Sequence, residues 1–312
     1  MMKSKRIVCL IMISVIIFSS LSTFNNSTKA QEGEYVDSII IEVRTNRKTA
    51  LDEVASGNLD VFTYPISGDR YDSLSDSLKE KMNTWTSIGE YNSVYFNPAH
   101  TVSPYEVMTD EGEYRFNPFA MKKVRNAFNY MIDRMKIVNE IYNGFAEPRY
   151  IWEGVSTGTY DEYFEEVVED YNLTSFGDKQ KGIQMIEEAM ISAKNDPDLK
   201  GELRSPENSS SDYWEYKALG ENFEPIEMIG YLESIEGKKE DLGYYIDSLV
   251  KDAGIKSYLK IMGWRNPEDI VYYGDPADME WNFYIESWQG EGAQYYQEEK
   301  IAKLYSGWYG YM

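Results

Sequence analysis

The chain has 312 residues, 53 of them acidic and 31 basic, for a net charge of −22. A field of that sign repels nucleic acid and anionic lipid surfaces. One histidine, His100, and one cysteine, Cys9, leave almost no material for zinc or triad chemistry.

Residues 1–30 read as a secretory signal. Lys3, Lys5 and Arg6 precede an apolar run over residues 7–18, and Thr28 and Ala30 are the small residues expected ahead of a cut after Ala30. An uncleaved membrane anchor is the competing reading. Cys9 lies inside the apolar run, so removal of the signal leaves a chain without cysteine, held by packing alone. Removal also takes four basic residues and no acidic one, moving the charge to −26.

Residues 36–44 (VDSIIIEVR) predict a buried strand, and residues 58–65 (NLDVFTYP) another. Between them Thr45 or Asn46 can cap a helix over residues 48–56 that Gly57 ends. Strand, helix and strand make a βαβ-like unit, which points to an α/β lobe with parallel pairing. A short helix over residues 71–82 and strands over 85–88 and 92–96 follow, and residues 99–115 read as loop.

The strongest helical pattern spans residues 116–148. Asn117 and Pro118 suit a helix start, and Val124, Phe128, Met131, Met135, Val138 and Tyr142 recur on one face. Asp133 can cap a second, re-aimed helix from Arg134, and Gly144 and Pro148 punctuate its end. Arg125, Asp133 and Arg134 are read as internal caps and ion pairs, not as ligand contacts. Residues 161–170 form an acidic amphipathic segment. Residues 178–194 predict a surface helix with Ile183, Ile186, Met190 and Ile191 inward, and residues 195–211 a loop. Strands over 213–216 and 225–231, a helix over 241–253, a strand over 255–262 and the strand-like WNFYIESW (281–288) complete the order, with a helix leading into the aromatic tail at 293–312. Asn172 and Asn208 sit in glycosylation sequons, which belong on surface loops if used.

Paired carboxylates such as Glu165/Glu166 or Glu286/Glu291 are too common in this composition to mark a glycosidase, which needs two carboxyls at a set gap across a cleft. Asp275, Asp278 and Glu280 lack the spacing of a calcium loop, and no phosphate-binding glycine loop is present. No cofactor and no metal is expected, and no catalysis. The aromatic residues carry more. Alternation in WNFYIESW puts Trp281, Phe283, Ile285 and Ser287 on one face and Asn282, Tyr284, Glu286 and Trp288 on the other. One face is core; the mixed aromatic and polar face suits a cleft for an amphipathic ligand, with ordinary core plus surface as the alternative.

Several collinear stretches resemble the extracellular solute-binding protein family 5, the peptide- and nickel-type receptors of ABC importers. Val124, Arg125, Ala127, Tyr130, Ile132, Asp133, Arg134, Ile137, Val138 and Gly144 match its signature in place. Residues 36–62, YNSVYFNP (91–98), residues 241–262 and WNFYIESW are similar to further family segments in order. The resemblance implies an α/β, two-lobed, periplasmic-binding-protein-like flytrap with an incomplete first lobe, since family chains are usually much longer. Residues 31–98 would form part of the first lobe and 99–312 the second, with hinge and cleft elements near 98–116 and 281–295. It also implies a secreted or cell-surface receptor that hands a peptide or other small solute to ABC permease subunits, with no nucleic-acid partner. Membrane association would come through the transporter or an uncleaved anchor. The ligand-binding residues expected are Trp288, Glu291, Tyr284 and Glu286. Family peptide receptors hold an Asp three residues after the cleft Trp; here that position is Glu291, and the Asp-Pro that follows in the family is missing. A glycosylated surface structural protein, a non-binding fragment and a carboxylate glycosidase are the alternatives.

Overall fold

A computed structural model describes residues 38–64, 66–85, 90–151, 160–233, 238–263 and 266–289. Contacts divide the chain into two units, Met1–Asp60 and Val61–Met312.

The described part of the first unit contains one helix, α1 (Arg47–Ser56). Its caps are those expected: Asn46 Oδ1 accepts from the backbone N–H of Lys48 and Thr49, and Gly57 ends it at φ 73°, a left-handed conformation that costs glycine little. The flanking strands are absent among the described residues. Residues 38–44 and 58–64 adopt no regular strand, and Ile39, Ile40, Ile41 and Val43 are 79–89% exposed. A strand exists only where a neighbour completes its hydrogen-bond ladder, and none of the described residues does so here. The expected βαβ unit is therefore corrected to a helix between two segments without strand structure.

The second unit opens with two short helices, α2 (Gly68–Asp72) and α3 (Asp76–Lys79), where one longer helix was expected. Next comes β1 (Glu90–Phe96), then a hairpin of β2 (Glu106–Met108) and β3 (Tyr114–Phe116) inside the stretch read as loop. The long helical pattern is broken, as expected, at Ile132. A 3-10 turn (Pro118–Ala120) leads into α4 (Lys122–Met131), and α5 (Arg134–Lys136) runs on into a π turn (Ile137–Ile141). Asn117 caps the first piece through Phe119 N–H, and Asp133 Oδ1 accepts from Lys136 N–H at 2.8 Å to cap the second. Arg125 donates to the carbonyls of Phe119 and Ala120. Arg134 donates to the carbonyls of Asn129 and Arg149 and lies 4.1 Å over the Tyr150 ring. Burial lowers the pKa of both guanidiniums, and both act as internal caps.

Helices α6 (Tyr160–Tyr171) and α7 (Lys179–Lys194) follow. Asp178 caps α7, which packs on α4 so closely that a Cβ at Gly182 would lie 2.8 Å from the Ala127 carbonyl oxygen. Ile186 and Met190 face that contact, whereas Ile191, expected inward, is exposed. β4 (Glu202–Arg204), β5 (Glu215–Lys217) and β6 (Glu224–Pro225) make a small antiparallel sheet. Two buried carboxylates fasten it. Glu106 accepts from the N–H of Lys200 and Gly201 and from Tyr216 OH, and Glu215 accepts from Ser210, Ser211 and Arg204.

The main sheet is built from β7 (Glu227–Glu233), β8 (Lys256–Met262) and β9 (Phe283–Gln289) together with β1, in the order β1-β9-β7-β8. β7 is parallel to both β8 and β9, and β1 runs antiparallel to β9. Helix α8 (Lys238–Asp252) connects β7 to β8 and lays Leu242, Ile246, Leu249 and Val250 in a core shared with Met228, Leu232, Phe283 and Ile285. Helix α9 (Asn266–Tyr273) connects β8 to β9, and its Val271 packs with Tyr231, Trp281 and Tyr284 in a second cluster. Each face of the sheet is thus covered, which explains why β7 and β9 carry apolar residues at consecutive positions. Gly230 is required at the centre: a Cβ there would lie 2.2 Å from the Phe283 ring. Trp281 precedes β9 and so escapes its alternation; it packs with Tyr284, not with Phe283.

Three buried asparagines join these parts. Asn97 Nδ2 donates to the carbonyls of Pro276 and Trp281, and Asn117 Nδ2 donates to the Asn97 carbonyl. Asn282 Oδ1 accepts from Ile229 N–H at 2.7 Å. Side-chain amides supplement the backbone bonds from Asn97 N–H to the Asn282 carbonyl and from Asn282 N–H to the Ile229 carbonyl where β1 ends and β9 begins.

Candidate functional site at the carboxyl ends of the parallel strands

Starting from β7, the chain moves by α8 to β8 on one side, then by α9 back across to β9 on the other. In an open α/β sheet such a reversal leaves a crevice at the carboxyl ends of the two strands that part, here β7 and β9. The register shows what walls it. The last β7–β9 pair is Leu232 with Ile285, while β9 runs on to Gln289, accompanied only by the first residues of β1. Glu286, Ser287, Trp288 and Gln289 therefore lie opposite Ser93, Asn92, Tyr91 and Glu90 past the point where β7 stops pairing with β9.

Of the four expected ligand residues, Tyr284 and Glu286 are described in full. Both lie on the sheet face under α9. Tyr284 is fully buried and Glu286 is 7% exposed. Tyr272 of α9 donates its hydroxyl to Glu286, and its ring meets that of Tyr284 edge-on at 6.1 Å. Burial, then the neighbouring Glu286 charge, drives the Tyr272 pKa far above its usual value, so this hydroxyl keeps its proton. The backbone of Trp288 is in β9, paired with Tyr91, and its side chain lies outside the described residues, as does the whole of Glu291.

The opposite face of the same strand ends carries a polar relay that pattern reading did not single out. Ser287 donates to Asn92 Oδ1 at 2.7 Å, and Asn92 Nδ2 donates to Tyr142 OH at 3.1 Å. At the mouth, the Arg149 guanidinium lies 4.4 Å over the Tyr91 ring. Finding these residues requires the β1–β9 register, which pairs positions almost two hundred residues apart and leaves no local signal. No group of three or more histidine, cysteine, aspartate or glutamate residues suited to a metal ion occurs among the described residues. The surface hollows of about 470 and 330 Å³ lie along α7, away from the strand ends.

The candidate site is thus the carboxyl-end region of an α/β sheet with a reversal of strand order, bordered by aromatic and hydrogen-bonding side chains. The chain belongs to the bacterial extracellular solute-binding proteins, family 5: the family model described as "Bacterial extracellular solute-binding proteins, family 5 Middle" matches residues 25–297. With membership comes the two-lobed α/β architecture of that family. Among solved structures, the chain is similar to the ABC transporter substrate-binding protein CtaP from Listeria monocytogenes, at 14% identity over 86% of this chain and 43% of that one, with a TM-score of 0.46. It is similar to a periplasmic oligopeptide-binding protein from Thermotoga maritima at 14% identity, 79% and 39% coverage and a TM-score of 0.48. NikZ from Campylobacter jejuni, solved with Ni(L-His), is similar at 12% identity, 68% and 32% coverage and a TM-score of 0.41. The chain spans between 32% and 43% of the length of these structures. No curated protein matches.

Proposed function

We propose that the chain is the extracytoplasmic solute-binding component of an ABC importer, without catalysis, that takes a peptide or similar small solute and delivers it to membrane permease subunits. The observation that carries this reading is the reversal of strand order at the parting carboxyl ends of β7 and β9, in a chain of family 5. Trp288, Glu291, Tyr284 and Glu286 remain the proposed contacts. Tyr284 and Glu286 would act as the wall beneath the crevice, since α9 covers them. The proposed division into lobes changes in one respect. β1 pairs along its whole length with β9, so it is grouped with the second lobe. Secretion through residues 1–30 is part of the proposal. No helix among the described residues is long and apolar enough to cross a membrane.

Calorimetry of the chain from Gln31 onward against short peptides, oligosaccharides and nickel–amino-acid chelates tests the reading. Binding of one class, weakened by substitution of Trp288, is the expected result; a folded chain that binds none of the three would sink it. One observation favours a second reading, that this polypeptide alone is a non-binding piece of a receptor. The exposure of Ile39, Ile40, Ile41 and Val43 leaves the first unit with little buried apolar surface of its own.

A further inference from the structure

The two glycosylation sequons stand in opposite states. In Asn208-Ser209-Ser210 both groups that a glycosyl transfer needs are bonded into the fold. Asn208 Nδ2 donates to Ser205 Oγ at 3.0 Å, and the Ser210 hydroxyl donates to the buried Glu215 carboxylate at 2.9 Å. Asn172-Leu173-Thr174 is arranged the other way. Asn172 follows the last residue of α6 at φ 49°, a left-handed position that asparagine tolerates, and its backbone N–H donates to the Glu169 carbonyl. Asn172 is exposed, and among the described residues its side-chain amide makes no hydrogen bond. The turn beneath it is anchored. Leu173 is buried, its N–H donates to the Val168 carbonyl at 2.9 Å, and Met135 N–H donates to the Ser175 carbonyl at 2.9 Å. With Leu173 held inward, Asn172 and Thr174 on either side of it are both exposed. The Thr174 hydroxyl reaches only the Gly177 carbonyl of its own turn, at 3.3 Å. Tyr171 and Phe176 are 50% and 72% exposed close by in sequence, and such rings suit the apolar C–H face of a sugar.

We infer that Asn172 is a site of N-linked glycosylation and that the fold withholds Asn208 from the same modification. The co-reactant is an oligosaccharide carried on a lipid phosphate at the outer face of the membrane, used by a membrane-bound transferase. The Asn172 amide nitrogen forms a bond to the anomeric carbon of the first sugar, and the bond from that carbon to the phosphate oxygen breaks. The lipid phosphate leaves with the electron pair, and the amide gives up one proton to a base of the transferase. The product is a bulky, solubilising group on a surface turn. The inference rests on the secretion part of the reading above and is independent of which solute is bound.

The test is peptide mapping by mass spectrometry of the full chain recovered from the cells that produce it, with the exported and cytoplasmic fractions analysed separately. In the exported chain the peptide containing Asn172 should carry added sugar mass, and the peptide containing Asn208 should keep its unmodified mass. Asn172→Gln and Thr174→Val should each abolish the modification, while Thr174→Ser, which keeps the hydroxyl, should retain it. Melting curves confirm that each variant is folded. An exported chain without sugar at Asn172 overturns the inference and leaves the solute-binding reading standing. Sugar on Asn208 to the same extent as on Asn172 also overturns it, because the bonds of Ser205 and Glu215 then withhold nothing. A chain found only in the cytoplasm removes the secretion reading, and the inference falls with it.

Discussion

The runs SIIIEVR at 38–44 and MIGYLE at 228–233 carry the same kind of local signal: apolar and β-branched residues at consecutive positions, the mark of a strand covered on both faces. Their fates differ. In β7 the run is flanked by β8 and β9, with α8 over one face and α9 over the other, and Met228, Tyr231 and Leu232 are buried. At 38–44 no described strand lies alongside, and Ile39, Ile40 and Ile41 all face solvent. Apolar sequence is a demand for burial, and only long-range neighbours can meet it. The difference is best measured by deleting side chains in each region.

The largest effect is expected at the centre of the main sheet. Phe283 is fully buried against Gly230 and meets the Phe119 ring at 6.2 Å, so Phe283→Ala should lower unfolding stability by about 3–5 kcal/mol in a urea titration. A loss under about 1 kcal/mol would mean that the sheet is not the packed core of this chain. The asparagine junction comes next. Asn117→Ala removes the donor to the Asn97 and Ala99 carbonyls and the cap on Phe119 N–H, all of them buried or partly buried. A cost of about 2–3 kcal/mol is expected, with Asn117→Asp recovering the cap alone.

These two sites also show what could be read in advance. Asn46, Asn117 and Asp133 cap the helices that sequence spacing assigned to them, because a cap is settled by residues two or three positions away. Strand pairing has no such locality. The hairpin of β2 and β3 was missed since each strand has three residues, too few to show alternation. Helix α9 was missed as well, and with it the cover over Tyr284 and Glu286, so a face read as open cleft is partly closed by Tyr272. The family signature in α4 and α5 was legible, but it marks caps and packing and lies away from the strand ends. Arg149 and Tyr91 became visible only through the register that brings residue 91 beside residue 288.

The second unit also contains a pH-dependent part that the first lacks among the described residues. Burial by itself raises the Glu215 carboxyl, but hydrogen bonds from Ser210 and Ser211 and the charge of Arg204 outweigh it and hold the pKa below the ordinary value of 4.5. A carboxyl lowered in the folded state stabilises fully above its unfolded pKa, and that contribution is lost as pH falls through the folded one. The melting temperature should therefore drop in acid below about pH 4.5, and Glu215→Gln should flatten the drop while lowering stability at neutral pH. An unchanged acid limb in the variant would remove Glu215 as its source.

The smallest effect is predicted where the sequence signal is strongest. Ile40 is 80% exposed, so truncating it removes no packing, and Ile40→Ala should leave unfolding stability within about 0.5 kcal/mol. The same change at a buried isoleucine such as Ile246 or Ile285, both close to fully buried, should cost about 2–5 kcal/mol. Amide hydrogen exchange gives the matching measure: residues 38–44 should exchange at rates near those of an unfolded chain, and β7 should be protected to the limit of global unfolding. A costly Ile40→Ala, or slow exchange at 38–44, would mean that a partner strand covers the run in solution. The contrast between the two regions would then vanish, because both would have found the neighbours their sequences require.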